Sequence, residues 1–157
     1  MALNFKKFAK DGDTFISKLS RELSCSKEMA GRILKATMHS LRKRLSPDES
    51  IQLMAQLPMF LKAVYVEGWK LNEGKDRIKH LSDFIDDVKS EDYLTADFDF
   101  GDNKNSEAII NTVFDVLRMY ISDGEMDDIK AQLPKELKPL VNKRITIKKL
   151  NKSTSIG

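Results

Sequence analysis

One four-residue run occurs twice in this chain. Ala55-Gln56-Leu57-Pro58 returns as Ala131-Gln132-Leu133-Pro134 at an offset of 76. Extended without gaps over residues 30–65 against 106–141, that offset matches Leu41 with Leu117, Arg42 with Arg118, Ser46 with Ser122 and Glu49 with Glu125. It also matches Leu61 with Leu137 and Lys62 with Lys138. Apolar positions pair too: Leu34 with Ile110, Leu45 with Ile121 and Leu53 with Ile129. Self-similarity on this scale points to two copies of one supersecondary unit, stacked because one copy cannot cover its own apolar face. Upstream, Phe15-Ile16 pairs with Phe84-Ile85 at an offset of 69, so the second copy is the longer one. The extra residues fall in 97–103, which, with the rest of 92–105, reads as an acidic, aromatic loop punctuated by Gly101.

The periodicity inside both copies is helical. Phe8, Phe15, Ile16, Leu19 and Leu23 recur near the helical repeat, with Gly12-Asp13 as an expected interruption. Ser24 or Ser26 can cap the next helix, on which Ala30, Leu34, Met38, Leu41 and Leu45 form one apolar stripe. Arg32, Lys35, His39, Arg42 and Lys43 fall on its opposite face. Ser46-Pro47-Asp48-Glu49 carries the signature of a capping box with proline at the first helical position, and Ser122-Asp123-Gly124-Glu125 repeats the box. Pro58 and Pro134 each stop one helix and open another from its first turn. The fold class expected is all-α, two pseudo-repeated helical units packed as a single bundle-like domain over residues 1–142. Repeat 1 spans about 13–69 and repeat 2 about 77–141. Residues 143–157 form a basic, loosely ordered tail.

The run Leu41 to Lys62, followed by Tyr65, Gly68 and Trp69, closely resembles the domain-of-unknown-function 2267 family. The stretch around Gly124-Glu125 and Ala131-Gln132-Leu133-Pro134 fits the same pattern, and the resemblance covers roughly residues 10–141. It implies a bacterial, α-helical protein. It implies no activity, cofactor or catalytic residue.

A length of 157 residues fits one domain. With 41% hydrophobic and 32% charged residues, the chain is neither collagenous, nor disordered throughout, nor built to live in a membrane. No segment reaches 18 apolar residues. Cys25 stands alone, so no internal disulfide and no cysteine-based zinc site can form, and the expected setting is cytoplasmic. The net charge of +3 is unevenly spread. Residues 1–45 carry 11 basic and 4 acidic side chains, whereas residues 91–137 carry 4 and 12. Such blocks can steer a charged partner or attract each other within one chain.

Motifs for chemistry fail on inspection. Asp97, Asp99 and Asp102 begin a calcium-loop pattern, but the sixth position is Asp102 in place of glycine and the twelfth is Ala108 in place of glutamate. Asp99-Phe100-Gly101 spells the kinase magnesium triplet without a glycine loop or catalytic loop around it. Ser24-Cys25-Ser26-Lys27 matches a nucleophile spacing without its partner motifs. His39 and His80 would need carboxylates that the sequence does not place beside them. No catalytic residue, cofactor or metal ligand is therefore assigned.

The candidate partner surface is Arg32, Lys35, His39, Arg42, Lys43, Tyr65 and Trp69. The structural junctions are Gln56, Leu57, Pro58, Gln132, Leu133 and Pro134: leucine for the core, proline to start a helix, glutamine to satisfy backbone groups left open at a helix end. The reading that follows is a non-enzymatic interaction or regulatory module with a protein partner and no membrane. One alternative is a weak nucleic-acid-associated protein using the basic N-terminal helix and tail. The other is an enzyme with a site in the inter-repeat cleft.

Overall fold

The computed structural model describes residues 3–71 and 77–144. Among them are eight α-helices, two 3-10 segments and no strand. Helix α1 runs Phe5–Leu23, α2 Lys27–Arg42, α3 Pro47–Gln56 and α4 Met59–Val66. The second half holds α5 Leu81–Asp92, a 3-10 turn Tyr93–Thr95, α6 Ala96–Phe100, α7 Asn103–Leu117, α8 Asp123–Gln132 and a 3-10 segment Lys135–Val141. None of the described helices is long and apolar enough to cross a membrane. The expected tail lies outside the described residues from 145 onward; before it, Arg144 reaches Glu22 at 3.8 Å.

Helix α2 is the hub, packed against α1, α4, α5, α6 and α7. Its buried residues include Ala30, Ile33, Leu34, Ala36, Met38 and Leu41, which join one continuous core drawing on both halves of the chain. Leu57, Leu61, Leu133 and Leu137 are buried in that core. Phe15 and Phe60 meet Tyr120 in a three-ring cluster with centroids 5.7–6.0 Å apart.

Local chemistry explains the helix ends. Ser26, Ser46, Asp102 and Ser122 each accept a hydrogen bond from the backbone amide three residues on. Ser24 instead closes α1 in a left-handed conformation, φ 54°. Pro58 and Pro134 stand at the N-cap, one residue before the first helical position expected for them.

Three expectations are corrected. Helix α1 passes through Gly12-Asp13 unbroken. A Cβ at Gly12 would lie 3.5 Å from Cγ of Phe60, an ordinary packing contact, so the ring sits closely over this turn of the helix. The span 92–105 is not a loop: the 3-10 turn, α6 and the start of α7 fill it, because Phe100 is pulled into the core and Asp99 is held by Arg32. The segment after Pro134 is 3-10 where its sequence counterpart α4 is α-helical; Pro139, which has no amide to donate, sits inside it.

Candidate functional site

The basic face expected on α2 is not an open surface. Helix α2 is enclosed on most sides, so its polar residues find partners within the protein. Arg32 makes a paired bond to the buried Asp99, Nε to Oδ2 at 2.8 Å and Nη2 to Oδ1 at 2.9 Å. Lys35 pairs with Glu67 at 3.2 Å. His39 is buried, its Nε2 2.7 Å from the Val64 carbonyl, and burial holds its pKa below the ordinary value. Arg42 is buried and donates to the carbonyls of Tyr65 and Glu67, both at 2.7 Å. Lys43 lies between Glu91 at 2.7 Å and Asp87 at 3.1 Å. Tyr65 is buried completely, its hydroxyl 2.7 Å from that of Ser50 and its ring edge-on to the half-buried Trp69. Of the seven proposed surface residues, His39, Arg42 and Tyr65 are therefore interior, and the remaining basic ones are neutralised in place.

Three exposed apolar residues close together in the chain lie elsewhere. Tyr93, Leu94 and Phe98 are 78%, 90% and 79% exposed. They project from the 3-10 turn and α6, and the mount beneath them is rigid. Phe100 is buried, and its carbonyl accepts from Asn105 Nδ2 at 2.9 Å and Ser106 Oγ at 3.1 Å. Lys89 Nζ donates to the Gly101 carbonyl at 2.6 Å. Arg32 fastens α6 to α2 through Asp99. Thr95 Oγ1 donates to Asp92 Oδ1 at 3.1 Å. Burial, and then the neighbouring Asp99, push the Asp92 carboxyl up to about 7, while the Arg32 bonds keep Asp99 below its ordinary value against its own burial. Tyr93 itself has φ 60°, a conformation unfavourable for a bulky residue. From Glu91 to Asp102 the chain carries five acidic residues and no basic one.

A second unusual arrangement joins the two matching segments where α3 meets α8. Gln56 does not serve its own helix end: its Oε1 accepts from Ser122 N at 2.8 Å. Gln132 does the same for Ser46 N, also at 2.8 Å. In a capping box those amides would be taken by the glutamates at the third helical position. Here the glutamines take them, and Glu49 and Glu125 turn inward, 6% and 5% exposed, toward each other. Burial, and then Glu49, push Glu125 up to about 7. The glutamines do not converge on one pocket. Only Gln132 lines the neighbouring cavity of about 290 Å³, with Lys43, Arg44, Arg77, Ile78, Lys79 and Pro134.

Sequence reasoning missed both features. For Tyr93, Leu94 and Phe98 the signal was present: large apolar residues inside an acidic stretch that reads as a loop. For Glu49 and Glu125 the signal was the capping box itself, which accounts for each glutamate locally and hides the meeting across the molecule.

Residues 12–140 match a protein-family model described as "Uncharacterized conserved protein (DUF2267)". No curated protein matches the chain.

Proposed function

Since the chain belongs to the DUF2267 family, whose description names no activity, we propose from geometry that it is a non-enzymatic interaction module that docks a protein partner through Tyr93, Leu94 and Phe98. The observation that carries this reading is the exposure of three large apolar side chains on a mount fixed from below by Asp99 and Phe100. Exposed aromatic and leucine side chains on a rigid base suit the anchor role, because little conformational freedom is lost on binding. The partner chemistry follows from charge. Asp97 and Asp102 are exposed beside the apolar residues, so the complementary surface is an apolar pocket with a basic rim. The backbone at Tyr93 supports the same reading. A tyrosine at φ 60° and ψ −120° costs on the order of 1–3 kcal/mol, which a segment kept for stability alone would shed. A bacterial cytoplasm is the setting that goes with this proposal, in keeping with a single cysteine.

A photo-crosslinking residue placed at Phe98 tests it. The expected product is a protein adduct that weakens with salt and disappears when Tyr93, Leu94, Asp97 and Asp102 are replaced by Ser, Ser, Lys and Lys, with the melting temperature kept. Tyr93→Gly should leave or raise the melting temperature. Adducts that survive the quadruple change, nucleic acid in place of protein, or adducts only between copies of this chain would overturn the reading.

A further inference from the structure

We propose that Glu49, Glu125 and Asp128 form a binding site for one hard divalent cation at the seam between α3 and α8. One carboxylate oxygen from each lies within 4.8 Å of the others. Two oxygens on a calcium ion, each at about 2.3–2.6 Å, can be no more than about 5 Å apart, so the three side chains need only small shifts to share one ion.

The accounting of donors carries the argument. The amide of Glu49 bonds Ser46 Oγ at 3.2 Å, and that of Glu125 bonds Ser122 Oγ at 3.1 Å. The amides of Ser46 and Ser122 are held by Gln132 and Gln56. The amides of Ser50 and Met126 close their helices on the carbonyls of Ser46 and Ser122. What remains is one weak bond, Gln132 Nε2 to Glu49 Oε2 at 3.4 Å. Among the described residues no amide, ammonium, guanidinium or hydroxyl donor bonds the Glu125 carboxylate, whose close partner is Glu49, and Oε1 of Glu49 and Oε1 of Glu125 are both buried without a partner. Buried carboxylate oxygens without donors are costly, and two facing each other add like-charge repulsion. The N-termini of α3 and α8 supply roughly half a positive charge each, too little for three carboxylates.

A hard cation resolves both costs. All three donors are oxygens, the ligand type that magnesium, calcium and manganese take. Asp128 is exposed and gives the ion a way in. Gln132 orients the Glu49 carboxylate from behind. The other titratable group facing the seam is Tyr65 of α4, whose hydroxyl is engaged by Ser50. The competing solution is a proton shared by Glu49 and Glu125, which would leave the seam without affinity for metal.

The experiment uses the full chain, stripped with chelator and titrated separately with calcium, magnesium and manganese by calorimetry and thermal melting. At pH 8 one saturable site with a raised melting temperature is expected for at least one of the three. Glu49→Gln and Glu125→Gln should abolish binding. Should either fail to fold, Asp128→Asn, on an exposed side chain, must still weaken it. No saturable binding at millimolar metal and pH 8 would assign the pair to a shared proton and overturn the proposal. Binding that persists unchanged in Asp128→Asn would overturn it equally.

Discussion

Two matched stretches, residues 30–65 and 106–141, build their interiors from partly different side chains. In the first, Tyr65 places its hydroxyl on Ser50. At the corresponding positions the second has Val141 and Met126, both buried and apolar. In the first, His39 meets the carbonyl of Val64; in the second, Asn111 donates to that of Leu140, from a position one helical turn earlier. The backbone contacts of arginine behave differently. Arg42 donates to the Tyr65 carbonyl, and Arg118 donates to the Val141 carbonyl, with the same separation along the chain. The contrast shows which interactions are interchangeable. A side-chain pair can be exchanged for an apolar pair of similar shape at little net cost, because both partners leave together. A carbonyl at a helix end has no such freedom. It exists whatever the sequence, so some donor must reach it.

The largest effect tests whether the two stretches are equivalent in the core. Leu57 and Leu133 are buried at matching places. Leu57→Ala and Leu133→Ala should each cost about 2–5 kcal/mol through lost transfer energy and the cavity left behind. Urea denaturation is the measurement, and similar losses are expected. A near-zero loss at either one would show that its site collapses onto the gap, and the equivalence would fail.

Much of this fold was legible in the sequence for local reasons. Ser46-Pro47 and Ser122-Asp123 announce helix starts that require only neighbouring residues, and those helices begin where the pattern puts them. What was illegible depends on tertiary neighbours. Arg32, His39 and Arg42 have the spacing of a solvated face, yet α6, α5 and α4 supply Asp99, Glu91 and the carbonyls that hold them against the protein. A helical wheel assumes one wet side, and α2 has almost none. The helix α6 escaped because five residues are too few for periodicity to show, and its stability comes from Phe100 and Asp99. Glu49 and Glu125 escaped because each had a sufficient local explanation.

The next effect separates the stretches. Tyr65→Phe leaves the buried hydroxyl of Ser50 without its partner, and should cost about 1–3 kcal/mol. Ser50→Ala alone should cost a similar amount by stranding the tyrosine. The two changes together should cost clearly less than their sum, since the pair then resembles the apolar Met126 and Val141. Strict additivity would mean that the hydroxyl pair does not couple, and that the difference between the stretches is only one of shape. Burial pushes the Tyr65 phenol up to about 12. A spectrophotometric titration should therefore find one tyrosine ionising late in the folded protein and in Ser50→Ala alike, because burial is the leading cause.

The smallest effect concerns the cross-bonds of the two glutamines, and it can reveal an asymmetry hidden in a nearly reciprocal pair. Gln56 holds the Ser122 amide and also donates to its hydroxyl at 3.3 Å; Gln132 holds Ser46 in the same two ways. Both side chains are exposed, so water recovers part of each lost bond, and replacement by alanine should cost about 1 kcal/mol. Gln132 has one further role: its amide donates to Glu49 at 3.4 Å, and among the described residues no matching bond runs from Gln56 to Glu125. Gln132→Ala should therefore be the more damaging change at pH 8, where Glu49 loses the last donor it has. The sharper pair is Gln132→Glu against Gln56→Glu. The first sets a third carboxylate beside Glu49 in place of its amide donor and keeps an acceptor for the Ser46 amide, so the salt-dependent part of any extra loss comes from charge. Melting temperatures at low and high salt read it out: the excess loss in Gln132→Glu should shrink as salt screens the repulsion, though only in part because Glu49 is buried. Equal losses in the two glutamate variants would mean that Gln132 does not steady Glu49, and the junction would be symmetric in energy as well as in its serine contacts.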